Sequence, residues 1–298
     1  MQLWILVTLA AAAVQTLRFM LQKQLKGTGL STGGATFSRF LFAAPLAAAV
    51  AAVLVTRSGV GLPEMPPRFW LFAWGGGLGQ IIATFATVAL FAERNFAVGI
   101  AFTKTETVLV ALFSAVVLGE AVSGAGFAAI LVGVAGVIVL SQPPGAIRAA
   151  GLWNRATGLG LIAGAFFGAS AIGYRGATLA LGQGDFFLRA AVALSVVTAS
   201  QTVALGLWLM WREPGELRRV LARWRVTALV GVTGMLGSLG WFTAFTLQNA
   251  AYVRALGQVE LIFSILATML IFRERISSRE VGGMALLTLS IVAIILLV

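Results

Sequence analysis

The chain is written in long apolar runs separated by short polar ones. Windows of about 20 apolar residues are long enough to cross a bilayer as helix. They fall near 3-22, 35-56, 69-92, 96-118, 124-141, 157-180, 186-211, 226-247, 252-272 and 279-297, so the pattern predicts ten transmembrane helices. Gly, Pro or clustered charges mark most boundaries. The longest polar stretches are 57-68, with Pro63, Pro66 and Pro67; 142-156, with Pro143 and Pro144; and 212-225, with five arginines.

The apolar pattern also repeats. A shift of 154 residues lays Asn95-x-Ala97 on Asn249-x-Ala251, Glu106 on Glu260, Leu112 on Leu266, Glu120 on Glu274 and Ser123 on Ser277. Such self-similarity marks a duplicated unit. Five spans per unit is an odd number, so a tandem copy crosses the membrane in the opposite sense. The expected architecture is therefore an all-α integral membrane protein of ten transmembrane helices, arranged as two inverted five-helix repeats. Residues 1-141 form the first repeat, 142-156 the loop between repeats and 157-298 the second.

Composition agrees with a membrane chain: 59% of the 298 residues are apolar and 10% charged, and the mean hydropathy is +0.97. The absence of cysteine and histidine removes thiol chemistry, disulfides, Cys/His metal sites and the usual neutral-pH base. No metal and no cofactor is expected. The net charge of +11 sits in short loops without an accompanying aromatic-basic segment, so it speaks for membrane orientation and not for nucleic acid. Loops after spans 1, 3, 5, 7 and 9 carry thirteen Lys and Arg residues against two, Arg57 and Arg68, in the others. The positive-inside rule places the odd loops in the cytoplasm and both termini outside.

Charges inside the spans carry the candidate chemistry. Six cations fall there, Arg18, Arg39, Lys104, Arg175, Arg189 and Arg254, against the two anions Glu106 and Glu260. A charge at mid-bilayer costs about 3 kcal/mol or more, so such residues mark partners, water or a polar cavity. Arg18, Arg39, Arg175 and Arg189 lie near predicted span ends and are expected to reach the interface on their long stems. Lys104 and Glu106 are two residues apart and point about 200 degrees from one another on a helix. Gln258 and Glu260 are their counterparts, with Arg254 projecting from another side. Two readings stand for the carboxylates. They pair structurally with basic residues across the bundle, or they line a cavity with Lys104, Gln80 and Gln258, contacting substrate or carrying a proton.

Other features divide similarly. Gly231, Gly234, Gly237 and Gly240 recur every third residue and Gly160, Gly164 and Gly168 every fourth, as faces where helix backbones approach closely. Gly75, Gly76 and Gly77 are adjacent and are expected to weaken the helix locally near a ligand. Most of the eight tryptophans fall near span ends, but Trp74 and Trp241 lie deeper and are candidate pocket walls.

The sequence Leu118-Gly119-Glu120-Ala121-x-Ser123, matched by Phe272-Arg273-Glu274-Arg275-x-Ser277, together with ten spans in a duplicated unit, resembles the EamA branch of the drug/metabolite transporter superfamily. Within it the chain is most similar to YddG-type aromatic amino acid exporters. The resemblance implies a basket in which helices 1 to 4 and 6 to 9 surround a central cavity, with helices 5 and 10 peripheral. It implies transport by alternating access, in a bacterial inner membrane, with a small-molecule substrate and no cofactor. Carried onto this chain, it makes Gln80, Lys104, Glu106, Trp241, Gln258 and Glu260 cavity residues. Relatives are expected to keep both termini in the cytoplasm, opposite to the charge bias here.

The leading expectation is export of small metabolites, amino acids including aromatic ones. An antiporter of phosphorylated or other anionic metabolites is the alternative, in which Lys104 and Arg254 would dominate affinity. A membrane-embedded enzyme is disfavoured by the lack of His, Cys and intramembrane Asp. A non-transporting structural subunit remains as a reading of another class.

Overall fold

The computed structural model describes residues 2–26, 29–90, 103–141, 155–263, 266 and 278–297. Among these the secondary structure is helical, without strands. Leu3–Lys26 forms α1, Thr32–Leu41 α2, Ala43–Ser58 α3 and Pro67–Leu90 α4. Glu106–Phe113 forms α5, which widens into a π-helical turn over Ser114–Leu118, and Gly124–Ser141 forms α6. Arg155–Ala180 is α7, Phe186–Arg212 α8, Glu216–Ala222 α9, Trp224–Leu247 α10, Ala250–Leu256 α11 and Ser278–Leu297 α12.

Leu3–Gln22, Thr32–Ser58, Pro67–Leu90, Arg155–Ala180, Phe186–Arg212 and Trp224–Leu247 are long and apolar enough to cross a membrane. Glu106–Leu118, Gly124–Val139 and Val281–Leu297 are shorter apolar helices within three other expected spans. The start of the fourth expected span, the loop 142–154, the end of the ninth and the motif at Phe272–Ser277 lie outside the described residues.

Several elements depart from the expected spans for local reasons. The second is two helices, broken at Phe42. Pro45 supplies no N–H, and its ring crowds the carbonyl of residue 41, one turn back. Gly231 of α10 accepts the break: a Cβ there would lie 2.5 Å from the Phe42 Cβ. Conversely, α4 runs unbroken through Gly75–Gly77, against the expected local weakening. Those glycines serve contact instead, because a Cβ on Gly76 would stand 3.1 Å from the Gly173 Cα of α7.

The arginine-rich stretch 212-225 contains α9, where only a polar loop was expected. Glu216 is fully buried there, accepting from the Ser31 N–H at 2.6 Å and pairing with Arg219 at 2.7 Å. Ser31 in turn caps α2, its hydroxyl accepting from the Gly34 N–H at 2.9 Å. A carboxylate at a helix N-terminus is favoured by the exposed N–H groups and the helix dipole.

The broadest helix contacts join the two halves of the chain. α4 packs along α7, α1 along α10, α6 along α12, and α3 against α8, while α5 lies between α7 and α11. Shifting residue numbers by 154 exchanges the α4–α7 and α1–α10 pairs. Small residues let these backbones close up. A Cβ at Gly240 would lie 2.8 Å from that of Ala11, and one at Gly136 would lie 2.8 Å from the Leu287 N.

Arg175 does not reach to the interface as expected. At the end of α7 it forms a bidentate pair with Glu120, Nε to Oε2 at 2.6 Å and Nη2 to Oε1 at 2.7 Å. Its Nη1 donates to the carbonyls of Phe245 and Gln248, the latter at 2.6 Å. One guanidinium thus ties the loop after α5 to the α10–α11 connection. Arg175→Met is expected to cost about 1.5 to 3 kcal/mol, the value of charged hydrogen bonds left unmade, read as a lower unfolding temperature in detergent.

Candidate functional site

Two turns organise the centre of the bundle. Lys104 and Thr105 form a turn before α5, and Gly257 and Gln258 form a turn after α11, the same place under the 154-residue shift. Gly257 is needed where it stands: a Cβ would lie 2.5 Å from the Trp241 ring. Helices broken inside a membrane release backbone and side-chain groups toward a cavity, which is where transporters bind solutes.

The two carboxylates follow these turns and are both engaged across the halves. Glu106 pairs with Nη2 of Arg254. Lys104 lies 3.9 Å from Glu260, whose other oxygen accepts from Gln15 Nε2 at 2.8 Å. Lys104 and Glu106, which point apart on their own helix, each therefore find an opposite charge on the other half. Gln258 donates to Thr107 Oγ1 at 2.8 Å and to the Arg254 carbonyl at 3.1 Å, while its buried Oε1 has no hydrogen-bond partner among the described residues.

Gln15 is the hub of this network. Its Oε1 accepts from Trp241 Nε1 at 3.1 Å and from Arg18 Nη2 at 3.3 Å. Arg18 also donates to Gln22 at 2.6 Å and is only 2% exposed. Arg39, 5% exposed, donates to Thr84 at 3.0 Å and Ser238 at 3.2 Å. Neither arginine reaches for an interface, as their places in the sequence suggested. Gly234 makes room for both stems: a Cβ there would lie 3.2 Å from the Arg39 Cγ and 3.5 Å from the Arg18 Cδ.

Beside the network lies a small polar pocket, bounded on its polar side by Gln15, Arg39, Gln80, Ser170, Ser238 and Arg254. Gln80 is fixed by Ser170, which donates to its Oε1 at 2.9 Å. Aromatic rings form the remaining wall. Tyr174 stacks on Phe242 at 4.1 Å, Trp241 on Phe245 at 5.9 Å, and the Arg254 guanidinium rides 4.8 Å over the Trp241 ring. About 20 Å³ is open at the centre, room for about one water molecule. A wider hollow of about 470 Å³, lined by Ile82, Phe85 and Trp208 among other apolar side chains, has no charged or hydrogen-bonding cluster to orient a polar solute.

A polar cleft with aromatic walls has the chemistry of solute binding, and no metal-ligating cluster is found among the described residues. The second half of the chain carries a family resemblance. Residues 155–296 match the EamA-like transporter family. That family consists of membrane transporters and not enzymes, so the match indicates a multi-pass membrane protein that carries small molecules. A solved crystal structure shares the fold over nearly the full length, with a TM-score of 0.70 at 16% identity, covering 98% of this chain and 96% of that one. No curated protein matches.

Of the residues singled out in the sequence, Gln80, Trp241 and Arg254 line the pocket. Lys104, Glu106, Gln258 and Glu260 stand behind it, joined through Arg254 and Gln15. Trp74 does not contribute: it is exposed on the outer face of α4 against Trp70, at 5.2 Å between rings. The residues missed were Gln15, Arg39, Ser170 and Tyr174. A signal for the first existed, since Gln15, Arg18 and Gln22 recur at i, i+3 and i+7 as a polar stripe on an otherwise apolar helix.

Proposed function

We propose that the chain exports small metabolites across a bacterial inner membrane by alternating access, with amino acids, aromatic ones included, as the leading substrate class. The observation that carries this reading is the buried pocket, in which Arg39, Gln80 and Arg254 face a wall of Tyr174, Trp241, Phe242 and Phe245. A carboxylate on an aromatic body fits both surfaces. The YddG-type resemblance points the same way. With room for about one water, the cavity must widen to admit a solute, as expected of an occluded carrier.

The proposed architecture is ten spans in two inverted repeats, divided near residues 142-156. It is supported by the exchange of the α4–α7 and α1–α10 contacts under the 154-residue shift and by the matching turns at Lys104 and Gln258. Gln80, Lys104, Glu106, Trp241, Arg254, Gln258 and Glu260 are proposed as cavity residues and their immediate supports. A second reading, carriage of anionic metabolites, is favoured by Arg39 and Arg18, whose hydrogen-bond partners are uncharged.

Uptake of labelled aromatic and aliphatic amino acids into proteoliposomes tests the first reading. Saturable flux is expected, and Gln80→Leu is expected to lower it about tenfold, the loss of about one hydrogen bond to the solute, while the protein remains folded by size exclusion. A structural subunit would show no flux of any solute and no effect of Gln80→Leu beyond assembly.

A further inference from the structure

The geometry points to a substrate of net negative charge, an oxyanion on an aromatic body with no ammonium of its own, anchored by Arg39. This rests on the transporter reading of the same pocket and takes its second, anionic form in preference to the amino acids. The buried carboxylates are already engaged, Glu106 by Arg254 and Glu260 by Gln15 and Lys104. A bound amino acid would bring an ammonium with no uncommitted pocket carboxylate among the described residues to meet it. The Trp241 face of the wall already carries the Arg254 guanidinium at 4.8 Å.

The cation side is different. Arg39 lines the pocket, and its guanidinium donates to two hydroxyls, Thr84 and Ser238, with no carboxylate in salt-bridge range among the described residues. Hydroxyls donate and accept but do not neutralise, so a charge in this setting still favours an anion. The planar fork suits the two oxygens of a carboxylate or phosphate. Arg18 adds a second positive charge one layer behind, held by the amides of Gln15 and Gln22 and lying 4.3 Å over the Phe19 ring. At the centre of the bundle the buried Arg18 and Arg39 and the half-buried Lys104 and Arg254 thus stand against Glu106 and Glu260. Lys104 and Arg254, favoured from sequence as anion ligands, are the two that are neutralised. The anion subsite therefore falls to Arg39, beside the stacked Tyr174 and Phe242 rings.

Four probes with one phenyl body separate the charge states: 3-phenylpropionate, phenylphosphate, phenylalanine and phenethylamine. Each is tested for stabilisation of the purified protein against heat and as a competitor of flux in proteoliposomes. One or both anions are expected to act at concentrations at least about tenfold below phenylalanine, and phenethylamine is expected to be inert. Activity of phenylphosphate alone supports the same site and assigns it to phosphate esters. Arg39→Gln is expected to weaken the anions at least about 30-fold, with Arg39→Lys retaining part of the effect. Phenylalanine acting as strongly as 3-phenylpropionate, or anions unaffected by Arg39→Gln, overturns the inference and leaves the transporter reading standing. If Arg39→Gln does not fold, the ranking on the wild-type protein decides. Inertness of all four probes overturns the inference, and an accompanying lack of flux for every solute overturns the transporter reading as well.

Discussion

Arg254→Met is expected to destabilise the protein by about 3 to 5 kcal/mol, because it leaves Glu106 buried without its cation. The methionine fills much of the stem's volume, so lost packing is a minor part of the change. The carboxylate carries the penalty. Glu106→Gln in the same chain should restore a large part of the loss, since an amide in that place asks for hydrogen bonds and not for a counter-charge. Thermal unfolding of the single and double variants in detergent measures the coupling. Single-variant losses that simply add in the double variant would mean that the two side chains do not act as a pair.

Gly173→Val is the second large effect. A Cβ on Gly173 would lie 2.5 Å from the Cα of Gly76 and 2.8 Å from the Phe72 carbonyl oxygen, both backbone atoms that cannot rotate away. The α4–α7 contact must open by an ångström or more to admit the branched side chain. Because small-residue packing supplies much of the association energy of membrane helices, the variant is expected to fail to give a monodisperse peak in size exclusion. Gly75→Val, one residue before Gly76 on a face where a Cβ meets nothing within 4 Å, is the control and should assemble normally.

The comparison of sequence with structure turns on which residues carry depth information. Glu106 and Glu260 were legible because a carboxylate inside an apolar run has few explanations, and their matching positions pointed to the centre of the bundle. Which partners they take was not legible. Lys104 and Arg254 face them only because two helices from opposite halves cross there, and the periodicity of one helix does not encode its neighbour. Arg18 and Arg39 were assigned to the interface from span ends placed too early or too late. α1 continues to Lys26, and α2 begins at Thr32 and breaks at Phe42, so both arginines fall among facing helices. The glycine stripe of α10 was read as ordinary contact, and most of it is. Gly234 adds what composition alone does not tell, space for two guanidinium stems.

The closest packing in this molecule runs between halves: α4 on α7, α1 on α10, α6 on α12. Neither half therefore has a core of its own in the sense that a soluble domain does. The glycine faces of α4 and α10 are finished by helices some hundred or more residues away along the chain. On the proposed division near residues 142-156, the two repeats would be separate in sequence and joined in folding. Each half is then the template on which the other becomes complete, and a change to a contact face of α4 or α10 is answered by a helix of the opposite half.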